Sequence, residues 1–227
     1  MAERDVVVVG GGAGALGSAV VERLLADGWA VVVPVRRPQD ASLPKEATVV
    51  RCDLRSATEV DTLAGAVEQQ GQWRAVVNAS GGYTGGEAHR IDDAEMLDHL
   101  ELNFLGPWRL ARAGARAMIE HKQGGRIVNV ASRAAVDVAP GQAAYQVAKT
   151  AMVRLTQVMA LELREHGITV NAVMPSVLDT EANRFAMPNA DHSQWVAPAR
   201  VAAAISWLVS PESEVVSGAA IPAYGRA

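Results

Sequence analysis

The stretch VVVVGGGAGALGSAV, residues 6–20, joins four valines to a glycine cluster and then to a helix-forming run. Four valines in a row show no polar alternation, which fits a strand covered on both faces. The glycines that follow allow a tight turn and a close backbone approach. Gly12-x-Gly14-x-x-Gly17 has the spacing of a dinucleotide-binding turn, and Gly11-x-x-x-Ala15-x-Gly17 is a second register of the same residues. In either register, backbone without side chains meets a pyrophosphate and the N–H groups of a helix N-terminus point at it. A structural turn alone needs fewer glycines, and its position between a first strand and a first helix favours the binding role.

The pattern repeats along the chain. Further Val-rich runs occupy residues 29–35, 47–53, 74–80, 125–132, 167–175 and 215–222. Ala-rich segments of helical periodicity lie between them. The first stops at Gly28. A long one over 92–125 contains Pro107, which is expected to bend it. A third, from Gly141, ends at Gly167. Strand–helix alternation predicts a single α/β domain over residues 1–227, a doubly wound sheet of about seven parallel strands with helices on both faces.

The bulk properties narrow the function. The 227 residues carry a net charge of -4 and no basic stripe, so a nucleic-acid partner is not expected. Cys52 is the single cysteine and has no disulfide partner, and the five histidines lack zinc-ligand spacing, so no metal is expected. No apolar leader or membrane-length run is present, which gives the expectation of a cytoplasmic protein.

The end of the second strand reads VVVPVRRPQD. An NAD site usually has a carboxylate here, on the ribose 2′-hydroxyl. Val35 takes that position, and Arg36 and Arg37 follow. Guanidinium groups pair with a 2′-phosphate, so NADP is favoured over NAD. Asp53, in CDLRS after the third strand, is placed to hold an adenine amino group, and Ser56 competes as a helix cap. In AAYQVAKT, residues 143–150, Tyr145 and Lys149 stand four apart on one helix face.

Together these residues identify the chain as a member of the short-chain dehydrogenase/reductase family over residues 5–225. The family's TGxxxGxG is similar to Gly10–Gly17, with Gly10 for Thr and Ala15 for the middle glycine. Its NNAG resembles NASG, Asn78–Gly81, and its helical Asn corresponds to Asn103. Its catalytic Ser, Tyr and Lys correspond to Ser132, Tyr145 and Lys149, and its PGxxxT to Pro175–Thr180 with Ser176 for Gly. The resemblance implies cofactor contacts from Gly11, Gly12, Gly14, Ala15, Leu16, Gly17, Asp53, Leu54, Asn78, Ala79, Gly81, Tyr145, Lys149, Pro175, Val177 and Thr180. VVVVGGGAGALGS, GGYTGG and residues 173–195 also resemble the dihydropteridine-reductase branch, which differs at the positions of Ser132 and Val35.

The implied chemistry is hydride transfer from a nicotinamide with a proton from Tyr145. Lys149 is expected to lower the Tyr145 pKa and hold the ribose, Ser132 to polarise a carbonyl, and Asn103 to bind a relay water. Residues 181–199 are expected to form a lid, with Tyr83, Met187 and Trp195 at the pocket mouth. A quinonoid pterin is the competing substrate. A non-catalytic NADP sensor and a sugar-nucleotide epimerase are competing functions. The apolar helices over 93–120 and 141–166 suggest a tetramer or dimer.

Overall fold

The computed structural model describes residues 4–38 and 42–226. In chain order the elements are β1 (Asp5–Gly10), α1 (Ala15–Ala26), β2 (Ala30–Val35), β3 (Thr48–Arg51), α2 (Ala57–Glu68) and β4 (Gln72–Asn78). Then come α3 (Asp93–Leu100), α4 (Gly106–His121), β5 (Gly125–Val130), α5 (Ala143–Glu162), β6 (Ile168–Pro175), α6 (Glu181–Ala186), α7 (Pro198–Val209) and β7 (Ala220–Ala223).

The seven strands form one sheet in the order β3-β2-β1-β4-β5-β6-β7, and every pairing is parallel. The four valines of β1 explain the two-sided cover. Val6 and Val8 pack with residues of α2, α4 and α5, whereas Val7 and Val9 pack with α1 and α7. Strand order reverses between β1 and β4, and in open α/β sheets ligands bind at the carboxyl ends of strands at such a point.

Local sequence sets the helix ends. Gly28 follows α1 with a φ of +92°, and Gly167 precedes β6 with a φ of +68°. Ser56 caps α2 and Asp92 caps α3, the latter with a reciprocal bond from its own N–H to Glu95. The expected bend at Pro107 takes another form. Residues Glu101–Leu105 make one π turn that carries α3 into α4 with helical backbone throughout, and Pro107, which has no N–H to donate, follows it as the second residue of α4. The last strand is also shorter than expected. Residues 216–219 are held by the Asn171 side chain, which donates to Val216 O and accepts from Ala219 N–H, so pairing starts only at Ala220.

One buried polar chain crosses the sheet. Asn78 Nδ2 donates to Asn129 Oδ1 at 2.9 Å, Asn129 Nδ2 to Thr156 Oγ1 at 2.9 Å, and Thr156 Oγ1 to Met152 O at 2.9 Å. It locks the ends of β4 and β5 to the middle of α5.

Two glycines make opposite predictions. A Cβ on Gly17 would lie 2.0 Å from Gly11 O, whereas one on Gly65, inside α2, would meet nothing within 4 Å. Gly65→Ala should raise stability by about 0.5–1 kcal/mol, and Gly17→Ala should lower it by roughly 1–3 kcal/mol. Urea unfolding checks both. Equal effects at the two positions would contradict the packing described.

Candidate active site

A cleft runs along the carboxyl ends of the strands in two lobes, which share Gly14 and Ser80. The first lobe, about 290 Å³, is lined by Gly11, Ala13, Val35, Arg36, Arg37, Asp53, Leu54 and Arg55 among others. The second, about 280 Å³, is lined by Ala15, Leu16, Gly17, Ala79, Gly81, Tyr83, Asn103, Ser132, Tyr145, Lys149 and Pro175 among others. The N-terminus of α1 opens onto both. Its cap residue Gly14 makes no side-chain capping bond, and its first turn holds no acidic residue. Free N–H groups at a cleft wall fit a pyrophosphate. The turn beneath is tight: Gly11 has a φ of +76°, and a Cβ there would lie 2.4 Å from Ser80 N. Arg36, exposed at one end, makes no ion pair among the described residues, which suits a phosphate. These residues fit a nicotinamide dinucleotide laid from Arg36 to Ser132.

Gly12 and Asn78 lie behind this wall. A Cβ on Gly12 would strike Val33 at 2.6 Å, so Gly12 packs on the sheet. Asn78 is buried and spends its amide on Pro107 O and Asn129. The Thr180 hydroxyl accepts from Asn183 N–H and caps α6, and Val177 O accepts from Val196 N–H. Sequence reading overlooked Ser176, Leu178 and Asn183, which line the second lobe. Ser176 stood at the glycine position of PGxxxT and Leu178 in its gap, but Asn183 carried no signal.

The reactive side chains converge. Ser132 follows β5, and its Oγ accepts from Ala134 N–H at 3.2 Å, which leaves its own hydrogen for another acceptor. Tyr145, on the first turn of α5, meets Tyr83 edge-on with ring centroids 5.3 Å apart. Lys149 is buried, donates from Nζ to Val130 O at 3.0 Å, and sits 5.8 Å from the Tyr145 ring centroid. A Cβ on Gly81 would lie 3.1 Å from that Nζ, so only glycine leaves it room. Asn103, in the π turn, clamps the next residue: its Nδ2 donates to Gly82 O and its Oδ1 accepts from Gly82 N–H.

The ionisation of Tyr145 is set by its surroundings. Burial raises its pKa above 10; the Ser132 hydroxyl lowers it, and the neighbouring Tyr83 raises it further. The shifted lysine is Lys149 itself, brought down to about 8 by burial. The expected lid segment forms α6, a single turn at His192–Gln194 and the start of α7. Trp195 packs on His192 with ring centroids 4.3 Å apart, and of the residues expected at the mouth only Tyr83 lines the cleft. Among the described residues no helix is long and apolar enough to cross a membrane, and no group of His, Cys, Asp or Glu is placed to hold a metal.

The family model for short chain dehydrogenases matches residues 5–191. The chain belongs to the short-chain dehydrogenase/reductase family. It is therefore an NAD(P)-dependent enzyme of that family, with the family's seven-stranded sheet. The 3-oxoacyl-(acyl-carrier-protein) reductase MabA of Mycobacterium bovis is 30% identical, over 98% of this chain and 92% of the relative. The short-chain reductase protein NovJ of Streptomyces niveus is 32% identical, over 99% and 94%. An actinorhodin polyketide ketoreductase crystallised with NADPH is 28% identical, with a TM-score of 0.88 over 99% of this chain and 98% of its own.

Burial of Lys149 has a measurable effect on this dehydrogenase. Its folded pKa of about 8 lies below the ordinary 10.5, so between those values the unfolded chain binds the extra proton and stability rises with pH. Below 8 the penalty is present in full. Lys149→Met should therefore be more stable than wild type at pH 7, by roughly 1–3 kcal/mol, and the gain should shrink as pH rises from 8 toward 10.5. Urea unfolding across that range tests it. A deficit that stays constant with pH would contradict the assignment.

Proposed function

We propose that this enzyme uses NADP to reduce a ketone or 3-oxoacyl-like carbonyl, or to oxidise the corresponding alcohol. The observation that carries the reading is the pair of hydroxyls on Ser132 and Tyr145. The Ser132 oxygen accepts from Ala134 N–H, which leaves its hydrogen to be shared between the Tyr145 oxygen and a substrate oxygen. Tyr145, with its pKa raised, keeps its proton at neutral pH and is poised as a donor. The nicotinamide, when bound, supplies the hydride. As hydride reaches the carbonyl carbon, negative charge grows on the oxygen, and the Ser132 hydroxyl stabilises it. Tyr145 then passes its proton to that oxygen. The resulting phenolate faces the Lys149 ammonium, whose pKa of about 8 lets it exchange a proton near neutrality. An intact donor set of this kind favours an enzyme over a sensor.

NADP preference rests on Arg36 and Arg37 at the end of β2, with no carboxylate at Val35. The relatives named above include a 3-oxoacyl reductase and a polyketide ketoreductase studied with NADPH, which supports the same choice. A quinonoid pterin is the second reading, carried by the resemblance of residues 173–195 and the clustered glycines around Tyr83. Its ring already carries electron demand, so it has less need of Ser132. Oligomerisation goes with the first reading: Leu97 on α3 and Val147, Val158 and Leu161 on α5 are exposed, a surface for pairing into a tetramer or dimer.

Four measurements check these statements. Tyr145→Phe should keep its NADPH affinity while turnover falls below about a tenth. Arg36→Ala should raise the KM for NADPH about tenfold and leave NADH within a factor of about two. Equal KM values for both cofactors in the wild type would sink the NADP assignment. Turnover of 3-oxoacyl thioesters, simple ketones and a quinonoid dihydropterin, in wild type and Ser132→Ala, separates the substrates. The carbonyl reading is wrong if the pterin is best and the variant loses nothing on it. Light scattering should give a mass well above the 23.9 kDa of one chain.

A further inference from the structure

The adenosine lobe of the cleft has a wall held both by its own turn, where Asp53 Oδ1 accepts from Arg55 N–H and Asp53 N–H donates to Glu59, and by contacts from outside it. Asp53, Leu54 and Arg55 form a short loop after β3, and all three line the lobe. This loop is braced from α3, the π turn and α4. Arg109 Nη1 donates to Leu54 O at 3.3 Å. The same guanidinium makes a two-pronged bond to Glu101, at 2.7 and 3.1 Å. Arg55 pairs with Asp98 at 2.8 Å. Arg109 is the most buried member, with its side chain 14% exposed, and Glu101 itself lines the lobe.

We propose that Glu101 and Arg109 are positioning residues for the adenosine half of the cofactor. Two consequences of the geometry support this. Arg109 ties Leu54, and so the loop beside the adenine, to the element that also carries Asn103. In addition, Arg109 neutralises a carboxylate that lines the lobe. Its bond holds the Glu101 carboxyl below the ordinary carboxylate range, so Glu101 is charged near neutral pH and needs that partner. The pair spans eight residues across a π turn, so it acts between elements and not as an ordinary one-turn helical pair.

The inference rests on the dinucleotide reading of the cleft, and cofactor fragments separate the two. The probes are NADPH, reduced nicotinamide mononucleotide, ADP and 2′,5′-ADP, with dissociation constants measured by fluorescence or calorimetry for wild type, Arg109→Met, Arg109→Lys and Glu101→Gln. Arg109→Met should weaken NADPH, ADP and 2′,5′-ADP about tenfold. The mononucleotide, which lacks adenosine, should bind within about twofold of wild type. Arg109→Lys, which restores the charge, should recover part of the loss. If Arg109→Met fails to fold, Glu101→Gln carries the test, with a smaller loss on the same three ligands. Equal loss on the mononucleotide and on NADPH, or no loss on ADP, would overturn the role. The ratio of 2′,5′-ADP to ADP affinity reports on Arg36 instead, so an error in the NADP assignment shows up separately.

Discussion

A lysine side chain shut inside a protein is the constraint on which the site depends. Among the described residues Lys149 Nζ has no carboxylate partner and a single hydrogen bond, to Val130 O. The fold accepts the cost of desolvating it. Everything near it is arranged to leave room: Gly81 has no side chain to block the amine, and Asn103 holds Gly82 in place from the other side. The lysine's proton is consequently loosely held, and an amine that titrates near neutrality is of use beside a phenol that does not.

Such a site needs its parts fixed to one another. The bonds from Asn78 through Asn129 to Thr156 tie β4 and β5 to α5. These three elements carry the loop with Gly81, the serine and the Tyr–Lys pair. A shift of α5 along the sheet would move Tyr145 and Lys149 away from Ser132 and would break a buried polar chain, which is expensive. The same asparagine that a motif comparison places in the cofactor site thus works one layer deeper, in the frame that aligns the site.

Much of this was legible in the sequence. Strands buried on both faces give unbroken apolar runs, so β1, β2, β4, β5 and β6 stood out. Gly28 and Gly167 marked helix ends because both adopt positive φ. The last strand was misplaced because side chains share in holding residues 216–219 to β6, Asn171 bonding Val216 O and Ala219 N–H and Ser217 accepting from Val170 N–H, and nothing in their composition announces it. Gly12 and Asn78 stand in motifs, and a motif records which residues recur but not which way they face: a Cβ on Gly12 would strike Val33, and Asn78 bonds Asn129. The Glu101–Arg109 pair was invisible for another reason. Its spacing has meaning only once a π turn changes the helical register. Sequence spacing gives the proximity of Tyr145 to Lys149 but not its depth of burial, which raises its pKa.

The central claim is that this cleft moves a hydride from the nicotinamide to a carbonyl carbon, with Tyr145 supplying the proton. The most direct measurement follows deuterium from C4-deuterated NADPH during reduction of a 3-oxoacyl thioester, with the product read by mass spectrometry. Wild type should place one deuterium on the carbinol carbon and take the hydroxyl proton from the Tyr145 side, and Tyr145→Phe should give almost none of that product. Alcohol formed without deuterium at that carbon, or formed equally well by the Phe variant, would contradict the account.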